Sequence, residues 1–259
     1  MKHNRLRPLL TGTHRYDKSL STRNRNQGVT VEAPILAYLI ETPNGRILYD
    51  VGCDYSKLAD PVERARYYDP DVFAFGPPDM TEDQRLGAHL TRLGLTPADI
   101  DVVFIGHLHF DHAGGLCDVP GCEIHVQADE MAAANSGEDP AYFVGDFSGD
   151  HRFRLMHGEY DVASGIRAIA TPGHTAGHMS LWIELASGPP IVLCGDAADL
   201  TENLDQEIAP GICWRDDETR AVDSIRKLKS LASREKARLW PNHDFAFYRG
   251  AMSAAPWHA

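Results

Sequence analysis

A chain of 259 residues with 43% apolar and 24% charged side chains carries ample material for a core, which excludes an intrinsically disordered protein. Its formal charge of −12 argues against a nucleic-acid groove, because such a groove needs clustered Lys and Arg to replace the counterions of phosphates. No run approaches the roughly twenty apolar residues of a membrane span, and residues 1–10 lack the apolar stretch of a secretion signal. The expectation is a cytoplasmic protein without a nucleic-acid or membrane partner.

The five cysteines, Cys53, Cys117, Cys122, Cys194 and Cys213, are odd in number and form no CxxC pair. Reduced, partly buried thiols are expected, not a disulfide framework or a zinc knuckle. No internal linker is visible, so residues 1–259 are read as one domain.

Residues 11–32 are polar without helical or strand period and predict a long loop bordering a functional site. Residues 34–40 and 46–51, around the turn Pro43-Asn44-Gly45, predict a hairpin. At its end Asp50 is either a turn cap or a partner that orients a metal-binding His. Residues 53–83 bring Tyr55, Tyr67, Tyr68, Phe73 and Phe75 among charges, which suits a lid over the site or a homodimer contact. A helix over 81–93, closed by Gly94, then feeds a buried strand over 101–105, the α/β pattern.

That strand runs into His107-Leu108-His109-Phe110-Asp111-His112, four metal-binding groups within six residues. His107 and His109 are two apart and project to one side of an extended segment. Asp111 and His112 follow where the chain turns and address a neighbouring point, so two adjacent metal sites are expected.

Beyond it, 123–126 predicts a strand on which His125 is structural, 129–135 a helical turn or two, and 136–150 a loop. Strands are expected over 152–155 and 165–170 around a turn at 159–161. Thr171-Pro172-Gly173-His174-Thr175-Ala176-Gly177-His178 leads into a strand over 179–185, and a strand over 191–194 ends at Gly195-Asp196. An amphipathic helix from 216 or 217 to 231 precedes a last strand, 238–240, closed by Pro241-Asn242-His243-Asp244. His174, Asp196 and His243 thus sit at or just past strand ends, which α/β folds gather at one sheet edge.

His107-Leu-His-Phe-Asp-His-Ala-Gly-Gly, Thr171-Pro-Gly-His-Thr-Ala-Gly-His, Gly195-Asp196 and Asn242-His243-Asp244 resemble the metallo-β-lactamase superfamily, most of all its N-acyl homoserine lactonase group, over about 34–243. The resemblance implies an α/β fold, an αββα four-layer sandwich. It implies one metal held by His107, His109 and His174, a second by Asp111, His112 and His243, and Asp196 bridging them beside a hydroxide. Zinc is the first expectation for these two divalent ions, with manganese, iron or cobalt open.

The implied function is a quorum-quenching lactonase: a dinuclear hydrolase that opens an acyl homoserine lactone or another small lactone by attack of the metal-bridging hydroxide. Asp111, Asp196 and Asp199 are the expected catalytic residues, and Phe110 and Asp199 the expected substrate contacts. Kept open are a thioester or other ester hydrolase of glyoxalase-like type, a phosphodiesterase, and a non-hydrolytic di-iron module.

One departure stands out. Typical homoserine lactonases carry a Tyr three residues after the bridging Asp, where this chain has Asp199; an ionised carboxylate accepts hydrogen bonds and repels an oxyanion. Another Tyr, for instance from the aromatic stretch after Gly52, replaces the donor, or Asp199 shuttles a proton to the leaving alkoxide, or the substrate is a different lactone, or Asp199 points away. The different lactone is the reading carried forward.

Overall fold

The computed structural model describes residues 3–73 and 75–259; Met1, Lys2 and Ala74 lie outside the described residues. A first sheet holds β1 (Arg5–Asp17), β2 (Thr30–Thr42), β3 (Gly45–Tyr49), β4 (Val102–Phe104), β5 (Glu123–Gln127) and β6 (Arg152–Met156), side by side in that order. A second holds β7 (Tyr160–Ala163), β8 (Ile166–Ala170), β9 (Met179–Ile183), β10 (Ile191–Leu193) and β11 (Arg238–Trp240), in the order β11-β10-β9-β8-β7. The helices are α1 (Tyr55–Ala59), α2 (Pro61–Tyr67), α3 (Leu86–Arg92), α4 (Phe110–Ala113), α5 (Ala128–Ala134), α6 (Val144–Phe147), α7 (Thr201–Gln206), α8 (Glu218–Glu235) and α9 (Phe245–Ala254).

The period of two along the strands builds the layers. Tyr38, Ile40, Ile47, Tyr49 and Phe104 face Ile166, Leu181, Ile183, Leu193 and Trp240 of the other sheet. The alternate residues Leu39, Leu48, Val103 and Ile105 face outward onto Leu86 and Leu90 of α3. On the far side Ile225, Leu228 and Leu231 of α8 cover Ile169, Trp182 and Val192. Helices on both outer faces of two packed sheets make the four-layer αββα sandwich that the resemblance implies. Each fully buried Ile or Leu of α8 contributes roughly 1.5–3 kcal/mol, and Asp217 caps the helix by accepting from the Arg220 N–H at 3.0 Å.

Several expected boundaries move. The expected loop over 11–32 is half strand: β1 runs to Asp17 and pairs with β2 from Arg5↔Glu41 to Asp17↔Thr30. Polar composition hides it because Arg15 lies opposite Glu32 and the backbone groups are spent on the ladder. Within the expected loop 136–150 the chain forms α6. The expected turn at 159–161 starts β7 instead, where the Tyr160 hydroxyl meets His125 Nδ1 at 3.0 Å. That bond, with His125 Nε2 2.9 Å from Glu123, makes His125 the structural residue expected. The helix expected over 81–93 divides into a 3-10 turn, Glu82–Gln84, and α3, with Gly94 at φ +71° closing it. The short tail after His243 is largely α9, capped by Asp244.

The aromatic stretch after Gly52 folds inward. Phe73 is buried with its ring centroid 5.5 Å from Tyr68, 5.1 Å from Phe110 and 5.5 Å from Phe143. Such edge contacts add to area burial, so Phe73→Leu is expected to cost about 1.5 kcal/mol, read as a lower urea midpoint with an unchanged slope. Among the described residues no helix is long and apolar enough to cross a membrane.

Candidate metal centre

The candidate ligands leave the ends of four strands: His107 after β4, His174 after β8, Asp196 after β10 and His243 after β11. Two glycines allow the strand ends to close. A Cβ on Gly106 would lie 2.8 Å from the Tyr49 hydroxyl, and one on Gly195, at φ +56°, 2.6 Å from the same oxygen. Tyr49 fills the space between the two sheets and donates to the Met179 carbonyl at 3.0 Å.

The ligand atoms of His107, His109 and His174 all lie within 4.8 Å of one another, as do those of His107, His112 and Asp196, and those of Asp111, His112 and His243. His109 Nδ1 stands 3.1 Å from His174 Nε2. Asp196 reaches in both directions: its carboxylate is 3.8 Å from His107 and 3.5 Å from His174 on one side, 3.3 Å from His112 and 3.2 Å from His243 on the other. All seven residues expected from the sequence therefore meet at one place.

The outer nitrogens of four rings are held so that the inner ones face the cluster. His112 Nδ1 is 2.8 Å from Asp50, whose other oxygen accepts from the Gly106 N–H at 2.8 Å. Asp50 is thus the orienting partner and not a turn cap. His109 Nε2 meets Asp139 at 3.2 Å, His174 Nδ1 the Ile212 carbonyl at 3.2 Å, and His243 Nδ1 the Pro34 carbonyl at 2.9 Å. His178 is engaged otherwise: its Nε2 accepts from the Asp196 N–H at 2.9 Å and its Nδ1 meets Thr171 at 2.9 Å. It fixes the backbone of Asp196.

The electrostatics fit a cation. Burial pushes His174 down to about 4 and His178 to about 3, leaving neutral imidazoles with lone pairs to give. Burial alone would raise Asp196, yet His243, His112 and His107 hold it well below the usual carboxylate range. Burial opposes charge on His243 as well, but Asp196 drives it up to about 10. Both ring nitrogens of His107 and Nε2 of His112 are buried with no hydrogen-bond partner among the described residues. Orphaned buried polar atoms cost about 1–3 kcal/mol each, and divalent metal ions would satisfy these atoms and the carboxylates together. The residues fit the cofactor.

Above the cluster lies a narrow cleft of about 50 Å³. Phe110 and Asp199, the expected substrate contacts, both line it, so Asp199 does not point away. Its other walls include His14 and Tyr16 of β1, and Ser21, Phe75 and Ile212. The polar segment expected to border the site does so as a strand end.

Sequence reasoning missed Tyr16, His14, Asp139, His178 as a positioning group, and above all Glu130. Glu130 is fully buried and accepts from Leu108 N, Tyr142 Oη, Thr175 Oγ1 and Gly177 N at 3.0, 2.9, 2.7 and 3.0 Å. Nothing in its neighbourhood in sequence signals this, because those partners come from three separate segments.

Residues 31–243 match the model of the metallo-β-lactamase superfamily. An N-acyl homoserine lactonase of a Bacillus species is 33% identical over 235 residues, 90% of each chain. The structure of a variant of AiiA from Bacillus thuringiensis, with N-decanoyl-L-homoserine bound at the active site, superposes with a TM-score of 0.87 at 30% identity, covering 96% of this chain and 97% of that one. An N-acyl homoserine lactone hydrolase with the product N-hexanoyl-L-homoserine at its catalytic metal centre gives 0.84 at 29% identity, covering 96% and 97%. The chain belongs to the metallo-β-lactamase superfamily, on the branch of the N-acyl homoserine lactonases.

Proposed function

We propose that this chain is a dinuclear metal-dependent hydrolase that opens the ring of a small lactone, with acyl homoserine lactones as the substrate class and zinc as the first candidate ion. The observation that carries this reading is the junction at Asp196, whose carboxylate lies between an all-histidine cluster and a mixed one on the floor of a cleft. The relatives named above, lactonases over nine-tenths of both chains, support the substrate class. The whole chain is proposed to act as one domain.

His107, His109 and His174 would hold one ion, Asp111, His112 and His243 the other, and Asp196 both. When bound, the pair supplies Lewis acidity, acidifying a water and polarising an ester carbonyl. Asp50, Asp139 and the carbonyls of Pro34 and Ile212 keep the imidazoles aimed, so that little reorganisation accompanies reaction. Phe110, Phe75 and Ile212 give the cleft apolar walls that seat the substrate and exclude bulk water. No side chain need act as nucleophile.

Tyr16 supplies the hydrogen bond to the substrate carbonyl. Its hydroxyl lies 2.7 Å from Ser21 Oγ beside the cleft. Burial, and then the nearby Asp199, raise its pKa well above the usual phenol value, which keeps the proton available. Tyr16 thus takes the place that Asp199 leaves without a donor, and it comes from β1, not from the aromatic stretch after Gly52, so acyl homoserine lactones replace the different lactone expected from Asp199.

The test is a panel of acyl homoserine lactones, γ-lactones, aryl lactones and thioesters followed by proton release, with elemental analysis alongside. The expected result is turnover of acyl homoserine lactones by protein carrying about two metals per chain. Turnover confined to thioesters, or protein that is active with fewer than two ions, overturns the reading.

A further inference from the structure

We infer that Asp199 is a further ligand of the second ion, which makes that position rich in carboxylates and suited to a harder divalent ion than its neighbour. The inference rests on the two-metal reading above. Asp199 lies just past β10 and is 4% exposed. One of its carboxylate oxygens, Oδ1, is buried with no hydrogen-bond partner among the described residues. A ligand atom of this carboxylate lies within 4.8 Å of those of Asp196 and His243, closely enough for one ion to join all three. The His243 N–H donates to the Asp199 carbonyl at 2.8 Å, so the backbones of these two residues are locked together.

Ser21 lies beside the Asp199 carboxylate, and Tyr16 Oη meets Ser21 Oγ at 2.7 Å. These hydroxyls place Asp199 beside the end of β1. A buried carboxylate oxygen without a donor is costly by itself, and a divalent ion is the partner that the surrounding Asp196 and His243 can share with it.

The consequence is asymmetry. The first position offers three imidazoles and a shared carboxylate, a set that suits zinc. The second offers His112 and His243 with Asp111, Asp199 and a share of Asp196. Three carboxylates against two imidazoles favour manganese or iron(II) more than the first set does. Asp199 is thereby a metal ligand and not a hydrogen-bond partner of the substrate.

The experiment uses the full chain, stripped by chelator and titrated with Mn²⁺, with free Mn²⁺ followed by electron paramagnetic resonance. Wild type is compared with Asp199→Asn, Asp199→Ala and Ser21→Ala, and circular dichroism melts report folding. The expected result is two binding events in wild type, of which one is unchanged and the other weakened about ten- to a hundredfold in both Asp199 variants. Ser21→Ala should weaken the same event about threefold, within the range of a supporting hydrogen bond. With equal Zn²⁺ and Mn²⁺ supplied, the Asp199→Asn variant should retain less manganese than wild type.

Two intact events of unchanged affinity in folded Asp199→Asn and Asp199→Ala overturn the assignment and leave the two-metal reading standing. A wild-type chain that binds fewer than two ions overturns that underlying reading, and this inference with it. Because Asp199→Asn keeps the size and shape of the side chain, it remains informative where Asp199→Ala fails to fold.

Discussion

Replacing Asp196 by Ala is expected to reduce lactone hydrolysis by about 10³-fold or more, because the substitution removes a preorganised charge from the centre of the site. Asp196 is the group that touches both clusters, at 3.5 Å from His174 and 3.2 Å from His243. Without it the two ligand sets no longer share an atom, and His112 and His243 lose their principal counter-charge. Asn242, whose amide donates to Asp196 at 3.0 Å, is left without its acceptor as well. Asp196→Asn preserves the shape and removes the charge, so it should retain the fold while losing most of the activity. The measurement is kcat/KM on an acyl homoserine lactone together with metal content. A folded Asp196→Ala protein that keeps wild-type turnover and two ions would remove Asp196 from the mechanism. Its effect differs in kind from that at Asp199, where one binding event is expected to weaken and the other to persist.

Much of this centre is legible in the chain because its ligands cluster in sequence or sit beside glycine and proline at strand ends. His107, His109, Asp111 and His112 declare themselves by spacing alone. His174, Asp196 and His243 follow from Gly173, Gly195 and Pro241, which mark where strands stop. The supports are less legible for a physical reason: a carboxylate that satisfies distant donors leaves no local period. Asp139 falls in a stretch that reads as loop, and Tyr16 in one whose charges mask a strand. The extended β1 is stabilised by its ladder to β2, a long-range pairing that a local window cannot see. The four layers are not legible as a local period, because β2, β3 and β4 are continuous apolar runs buried on both faces; the layering is what the resemblance of the ligand motifs implies.

Glu130 carries the largest expected effect on stability. Its Oε1 accepts from Leu108 N and Tyr142 Oη, and its Oε2 from Thr175 Oγ1 and Gly177 N. Leu108 lies between His107 and His109, while Thr175 and Gly177 follow His174, so one carboxylate fixes the distance between the two halves of the histidine cluster. Glu130→Ala leaves these buried donors without an acceptor and is expected to cost about 4 kcal/mol, since each such group carries a penalty of about 1–3 kcal/mol and hydroxyls recover part of it by turning. Glu130→Gln keeps one carbonyl oxygen but faces an amide against donors, and about half that loss is expected. Urea titration reads both values. The same substitutions should weaken the ion held by His107, His109 and His174 about tenfold or more, and spare the ion held by Asp111, His112 and His243. That selectivity is the reverse of the one expected at Asp199. Equal weakening of both ions in Glu130→Gln would mean that Glu130 supports the fold as a whole and not the spacing of one cluster.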